Sequence, residues 1–349
     1  MGKIRIKDIA EIANVSIGTV DRVIHKRGEV SQATRERIQK LLKEHGYKPD
    51  IIASSLALKR QINLAVVMPR LIHDHEFWKL PQSGIKKALE ELSHYKISID
   101  TYYFDQFNTD DFVHQAKKFP YNNIHGILFA PVFQEESIAF LRRCEKERVP
   151  VVLFNSLLDD PYVKSFVGQD AYHSGYVAAK LINYGLEPKR AVAIINLSAR
   201  KDHYAHIISR EKGFRSYFKE YSDRLSHLLT IDLHGVDDQK LHARLNEMCS
   251  EYDVAGIFVT NSRVYKVAGF LAERGPRSVR LVGYDLLPES IDFLKRDYID
   301  FLISQRPEEQ SFRGLMSLFN LVAFNREPEE RQLLPIDIIT RENLRYYKP

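Results

Sequence analysis

Cysteine is nearly absent: among 349 residues only Cys144 and Cys249 occur, far apart and with no histidines at metal-ligand spacing. That excludes a disulfide framework and a zinc-type site, fits a reducing compartment, and leaves both thiols to pack as small hydrophobes. Long apolar runs are missing too. No stretch approaches the ~18 residues of a membrane span, and the opening MGKIRIKDIAEIANV carries a charge every few residues, unlike a secretory leader. A cytoplasmic protein is expected. Catalytic signatures are equally scarce. No glycine-rich phosphate loop follows the first strand, and there is no G-x-S-x-G elbow, HExxH or CxxC. His73/His75 and His203/His206 alone hint at a metal pair, and loop histidines of that kind are more often solvated. No catalytic residue, no metal and no cofactor is expected, so the chain does not read as an enzyme.

What is present is asymmetric charge. Residues 1–60 hold 13 Lys and Arg against 7 Asp and Glu; the remainder holds 38 against 39. The net +5 therefore sits in the first sixth of the chain, the footprint of a small phosphate-binding module on a neutral body. The same segment carries IKDIAEIANVSIGTVDRVIH, residues 6–25. Ile9, Ala10, Ile12 and Ala13 recur at helical spacing. Asn14 suits a left-handed turn, and Ser16 suits an N-cap over the amides of Gly18 and Thr19. A second helix buries Val20, Val23 and Ile24 and turns Ile17, Gly18, Asp21, Arg22 and His25 outward. Two short helices, a cramped turn and a mixed outer face make a helix-turn-helix, although a helical hairpin in a core gives a similar pattern. Ser31 then caps a third helix to about His45. Its Ile38, Leu41 and Leu42 close a three-helix core, with Gly46 and Pro49 as stop signals. The stretch IIASSLALKR, residues 51–60, is too short to hold a helix alone and is a candidate for folding on binding.

Taken together, IKDIA, VSIGTVDRV, GEVSQATRERI, HGYKPD and ASSL, in that order and spacing, resemble the LacI/GalR family of bacterial transcriptional regulators. The resemblance covers the whole chain and is specific only as a set of motifs. It implies a helix-turn-helix headpiece (1–48), a hinge helix (49–61) and a periplasmic-binding-protein-like body (62–349). Within the body it implies lobe 1 at about 62–184 plus 305–328 and lobe 2 at about 185–304 plus 329–349, with crossings near 182–188, 302–305 and 327–332.

The residues of the body agree with that class. From Ile62, short apolar strands alternate with amphipathic helices, at 62–69, 97–103, 126–130 and 151–154, and again at 191–196, 228–233, 256–260 and 280–284. Two such runs predict two doubly wound lobes with parallel sheets covered on both faces, and LLPIDIIT (333–340) reads as a final strand. Ligands in such sheets sit beyond the carboxyl ends of strands. Those loops include 70–78, 130–133, Asn155-Ser156, Asp170, 196–210, Asn261 and Asp285.

On DNA, the resemblance makes Arg22 a base reader, whose fork suits a guanine, with a phosphate contact as the alternative. Ile17 and Gly18 occupy the positions that vary with operator sequence, and Thr19 suits phosphate. Asp21 stands where the family has serine or threonine; a carboxylate there repels phosphate and must accept from a cytosine amine or pair with a cation. His25, Ser16, Ser31, Thr34, Ser55 and Lys59 complete the expected contacts. Leu56 matches the leucine the family wedges into the minor groove; packing on a partner or on the body is the alternative. In the body, the resemblance assigns effector binding to Arg210 of the R-x-x-G-F run and to Asp285 of VGYD, and less securely to Asp170, Asn261 and Gln305. Capping and structural hydrogen bonding compete for Asp170 and Gln305. Phe77 and Trp78 follow the first strand and offer aromatic faces to a sugar, with burial in the core as the alternative. Asn261-Ser262 and Asn155-Ser156 depart from family patterns and blur the ligand.

The expectation is a DNA-binding transcriptional regulator, a repressor. A homodimer binds a near-palindromic double-stranded operator under control of a small polar effector, a carbohydrate, between the lobes. A sugar-binding transport protein and, less readily, an α/β enzyme stand as alternatives.

Overall fold

The computed structural model describes residues 4, 6–24, 30–45, 61–71, 76–198, 205–221, 225–234, 237–275 and 279–347. The expected hinge helix, with Ser55, Leu56 and Lys59, lies outside the described residues, as do His25 and the side chain of Asp21.

Three helices open the chain: α1 (Ile6–Ile12), α2 (Ile17–Ile24) and α3 (Gln32–Glu44). Asn14 takes a left-handed φ of 49°, letting the chain reverse between α1 and α2 within a few residues. Ile9, Ala10, Ala13, Val20, Val23 and Ile38 form the buried centre, against which Ile24, Leu41 and Leu42 pack. Ile12, read as part of the apolar face of α1, is instead 51% exposed, while Ile9, Ala10 and Ala13 on the other side of the helix are buried in the core.

The body contains two six-stranded sheets of the same winding, ordered β11-β5-β4-β3-β1-β2 and β12-β10-β9-β8-β6-β7. In the first, β1 (Ile62–Pro69), β2 (Ile97–Phe104), β3 (Gly126–Phe129), β4 (Val151–Phe154), β5 (Val163–Gln169) and β11 (Arg331–Leu334) are all parallel. In the second, β6 (Arg190–Ser198), β7 (Leu225–His234), β8 (Val254–Val259), β9 (Arg280–Tyr284) and β10 (Phe301–Ser304) are parallel, and β12 (Asp337–Ile339) runs antiparallel to β10.

Strand side chains alternate between two faces, so each sheet needs cover on both. On β1, Ala65 and Val67 face a cluster with Phe112 of α5 (Thr109–Lys118) and Phe140 of α6 (Gln134–Lys146). Leu64, Val66 and Met68 face the other side, with Ala88 of α4 (Lys79–Glu91) and Leu315 and Leu318 of α12 (Pro307–Phe324). The second sheet is covered on one face by α7 (Ala171–Asn183) and α8 (Ala205–Glu220). Its other face carries α9 (Asp238–Glu251), α10 (Val264–Glu273) and α11 (Pro288–Lys295).

The crossings between lobes differ from the expected boundaries in two places. β5 belongs to the first sheet and α7 packs on the second, so the first crossing falls at Gln169–Asp170 and not near 184. The strand expected over 333–340 is two strands: Pro335, which has no amide to donate, separates β11 in the first sheet from β12 in the second. The third crossing is therefore at 335–336, not 327–332. The second falls just after β10, within the expected stretch.

Candidate functional site

Two sites emerge, one on the headpiece and one between the lobes. On the headpiece, the Ser16 Oγ accepts the Thr19 amide at 3.1 Å and pairs with the Thr19 hydroxyl at 2.9 Å. Ser31 repeats the arrangement at the head of α3, accepting the Thr34 amide at 3.4 Å and meeting the Thr34 hydroxyl at 2.8 Å. Both caps place paired hydroxyls at exposed helix starts, and the partial positive charge of a helix start favours a phosphate. On the outer face of α2, Ile17 is 48% exposed and Arg22 is exposed, one turn from Gly18. A β-carbon on Gly18 would stand 3.9 Å from the Arg22 Nη2, ordinary contact, so the guanidinium lies back along the helix over Gly18 with no clash to avoid.

The second site is a cleft of about 600 Å³, counting its solvent-open part, beyond the carboxyl ends of strands from both sheets. Arg210 projects into it from α8. That helix docks on α7 through two glycines: a β-carbon on Gly175 would stand 1.9 Å from the Arg210 carbonyl oxygen, and one on Gly213 would stand 1.9 Å from the Tyr172 carbonyl oxygen. The glycine of the R-x-x-G-F run thus serves close helix packing, which fixes where Arg210 stands. The guanidinium lies 3.7 Å from the centre of the Tyr284 ring. Its Nη1 donates to the Thr260 carbonyl at 2.7 Å and its Nη2 to the Gln305 Oε1; its Nε is buried without a partner.

Asp285 follows β9 with a left-handed φ of 65°. Its carboxylate accepts the Gln305 amide nitrogen at 3.3 Å and the Gln305 Nε2 at 2.7 Å. Burial pushes its pKa up to about 6, against the opposing pull of Arg210 and of the Gln305 hydrogen bonds. Gln305 therefore bridges the two charges through one side-chain amide.

Phe77 and Trp78 both line the cleft, and both belong to the core of the first lobe. The two alternatives for them hold together. Trp78 donates its Nε1 to the Gln106 Oε1 at 3.1 Å. Asn261 lines the wall and donates to the Leu197 carbonyl at 2.6 Å. Asp170 does not line the cleft. It is the N-cap of α7, accepting the His173 amide at 2.9 Å and facing the His173 Nδ1 at 2.8 Å, so capping decides its place.

His206, read as a solvated loop histidine, lies in the cleft wall and shares a 2.6 Å hydrogen bond with the Ser156 hydroxyl from the opposite lobe. Burial and the nearby Arg210 hold its pKa well below the usual histidine value, so the ring is neutral. Gln106, Ser262 and Arg263 also line the cleft, and no motif in the sequence marks them as ligands. Gln106 lies just past the end of β2, where the strand-end rule points. Arg263, near the end of β8, reaches the Leu197 carbonyl at 2.9 Å and lies 5.6 Å from the Phe107 ring of the other lobe. Among the described residues, no cluster of three or more His, Cys, Asp or Glu could hold a metal ion, and no helix is long and apolar enough to cross a membrane.

A helix-turn-helix joined to a two-lobed α/β body with a charged interlobe cleft defines a class. Residues 5–50 match the family described as bacterial regulatory proteins, lacI family, and residues 64–326 match the periplasmic binding protein domain. The chain belongs to the lacI family of bacterial regulators that carry a periplasmic-binding-protein body. It is similar to the regulator DegA of Bacillus subtilis, 30% identical over a stretch covering 51% of each chain. It also resembles the ribose operon repressor of Halalkalibacterium halodurans, 24% identical over 81% of this chain and 80% of that one. Among solved structures, a Bacteroides fragilis protein assigned to the LacI transcriptional regulators superposes with a TM-score of 0.76 and 27% identity, covering 83% of this chain and 100% of that one. The glucose-galactose binding protein GanP of Geobacillus stearothermophilus shares the fold at a TM-score of 0.71 and 20% identity, over 82% of this chain and 99% of that one.

Proposed function

We propose that the chain is a cytoplasmic, homodimeric repressor of transcription, and that a carbohydrate bound between its lobes sets its affinity for DNA. One observation carries the reading: a headpiece with an exposed Arg22 on its second helix shares a chain with a cleft in which a buried Arg210 and a buried Asp285 face the same amide. A guanidinium and a carboxylate give a donor and an acceptor for hydroxyl groups, and the rings of Phe77 and Trp78 suit the C–H faces of a sugar. Relatives named as ribose and sucrose operon repressors support the ligand class. The match over residues 5–50 favours a regulator over a transport protein.

Each headpiece takes one half-site of a near-palindromic operator, as two-fold symmetry requires. Arg22, Ile17, Gly18 and Asp21 face the bases, Ser16, Thr19, His25, Ser31, Thr34 and Lys59 the phosphates, and Ser55 and Leu56 the minor groove. Arg210, Asp285, Gln305, Asn261, Phe77 and Trp78 hold the effector, without catalysis. Selection of full-length protein against random-sequence duplexes tests this. A near-palindrome is expected to be enriched, and Arg22→Ala should lose about 1–3 kcal/mol of discrimination at one base in each half-site. Failure to enrich any sequence contradicts the reading.

A further inference from the structure

Arg306 stands at the second crossing, between β10 and α12, and its backbone is left-handed, with φ 52° and ψ 55°. A residue with a side chain seldom adopts that region, and the proline that follows, Pro307, biases it further towards extended backbone. Such a conformation persists only where surrounding contacts over-determine it. Here the contacts come from the guanidinium. Its Nε and Nη2 fork onto the two carboxylate oxygens of Asp337, at 2.5 and 3.1 Å, and its Nη1 donates to the Glu309 Oε2 at 3.0 Å. Asp337 opens β12 in the second lobe, and Glu309 lies in the first turn of α12 on the first. We propose that Arg306 is a strained clip: its fork holds the lobes at the angle of this structure, and its release lets the backbone relax and the lobes turn.

All three connections between the lobes converge on this clip. Gln169, at the first crossing, donates its Nε2 to the Ser304 carbonyl at 3.0 Å and to the Pro335 carbonyl of the third at 3.1 Å. The Ser304 Oγ in turn accepts the Arg306 amide at 3.2 Å. Asp337 sits opposite Ser304 in the antiparallel β10–β12 ladder, so one arm of the fork is fixed to the second sheet. The other arm, Glu309, is held in place by Arg313, one helical turn on, at 2.5 Å. Neither Arg306, Glu309 nor Asp337 lines the interlobe cleft. Arg306 and Glu309 instead line a second hollow of about 1280 Å³, counting its solvent-open part, walled by Leu80 and Phe312 of the first lobe and by Leu286 and Tyr346 of the second. The Arg306 side chain is already 36% exposed, so a released guanidinium has room to turn. A clip outside the cleft sets the balance between lobe angles before any effector binds, and an effector adds its own preference to that balance.

Pulsed electron paramagnetic resonance on full-length protein reads the lobe angle with no ligand present. Spin labels are placed at Lys118→Cys in the first lobe and Lys219→Cys in the second, both exposed, in a Cys249→Ser background. Cys144 is buried and its thiol is pushed up to about 12 by that burial, so it does not label. Dilution with unlabelled protein confines the signal to distances within one chain. Three variants are compared with this parent. Asp337→Asn weakens the fork from its far side. Arg306→Gln loses the fork but keeps a side chain in the left-handed region. Arg306→Gly loses the fork and the strain together. The proposal predicts that a second distance gains at least tenfold against the first in Asp337→Asn and in Arg306→Gln, and gains less in Arg306→Gly than in Arg306→Gln. Distances unchanged in Asp337→Asn and Arg306→Gln overturn the clip, whatever happens to the melting temperatures, because the fork then serves only the stability of the fold. Equal shifts in Arg306→Gln and Arg306→Gly overturn the strain. If the Arg306 variants fail to fold, Asp337→Asn decides on the clip alone, since it leaves the crossing backbone untouched.

Discussion

Asp285 carries a titration as well as its hydrogen bonds to Gln305. Its folded pKa, pushed up to about 6 by burial, lies above the ordinary carboxyl value of 3.8. An acid of this kind binds its proton more tightly in the native than in the unfolded chain. Its contribution to stability is full below pH ~4 and is lost as pH rises to about 6. Asp285→Asn removes that loss. Measured as melting temperature, the variant minus the parent should therefore rise between pH 4 and pH 6 and stay level above, while sugar binding disappears. A difference that falls over the same window contradicts the assignment. Arg210 behaves in the opposite sense. Arg210→Ala removes the cation whose pull opposes the burial of Asp285 and leaves the Thr260 carbonyl and the Gln305 Oε1 without their buried donor, at about 1–3 kcal/mol for each unsatisfied group. Chemical denaturation should register that loss, and adding Asp285→Asn should recover part of it.

At the scale of elements, the α7–α8 pair sets the cleft. Gly175 and Gly213 let two helices meet backbone to backbone, and any side chain there meets a carbonyl oxygen at 1.9 Å. Gly213→Ala should destabilise the second lobe by about 1–3 kcal/mol and weaken sugar binding without touching DNA affinity of the headpiece, since overpacking moves Arg210. Unchanged stability would mean that the helices separate at no cost.

Elements were also where the sequence was most and least legible. Three strands, 62–69, 151–154 and 280–284, have the ends their apolar runs suggest, because a strand buried on both faces reads as an unbroken apolar run. β5 escaped, since its VKSFVGQ mixes Lys164, Ser165, Gly168 and Gln169 among the apolar residues. Ser165 is buried because its hydroxyl finds the Glu329 carbonyl at 2.6 Å, a partner 164 residues away. The same blindness moved the first lobe boundary, and Asp170 with it: helix start and cleft edge look alike in sequence when a strand is missing. Arg210, Asp285, Gln305, Asn261, Phe77 and Trp78 do meet in one cleft, but the amide bridge between two of them depends on side-chain geometry that no spacing encodes.

Across the whole molecule, described residues of the two lobes also meet away from the crossings. Ser156 meets His206 at 2.6 Å, and Arg263 lies 5.6 Å from the Phe107 ring. Leu287, from the second lobe, is buried in the core of the first. These contacts and the stitched crossings define one lobe angle, and a ligand alters DNA binding only insofar as it prefers one angle over another. The most direct measurement is therefore of coupling. A duplex carrying the selected operator is titrated with full-length protein by fluorescence anisotropy, with and without a saturating sugar that binds the cleft, for the parent and for Arg210→Ala. The account predicts at least a tenfold change in operator affinity on adding the sugar to the parent and none in Arg210→Ala, which still binds the operator. An operator affinity indifferent to a bound sugar would contradict it.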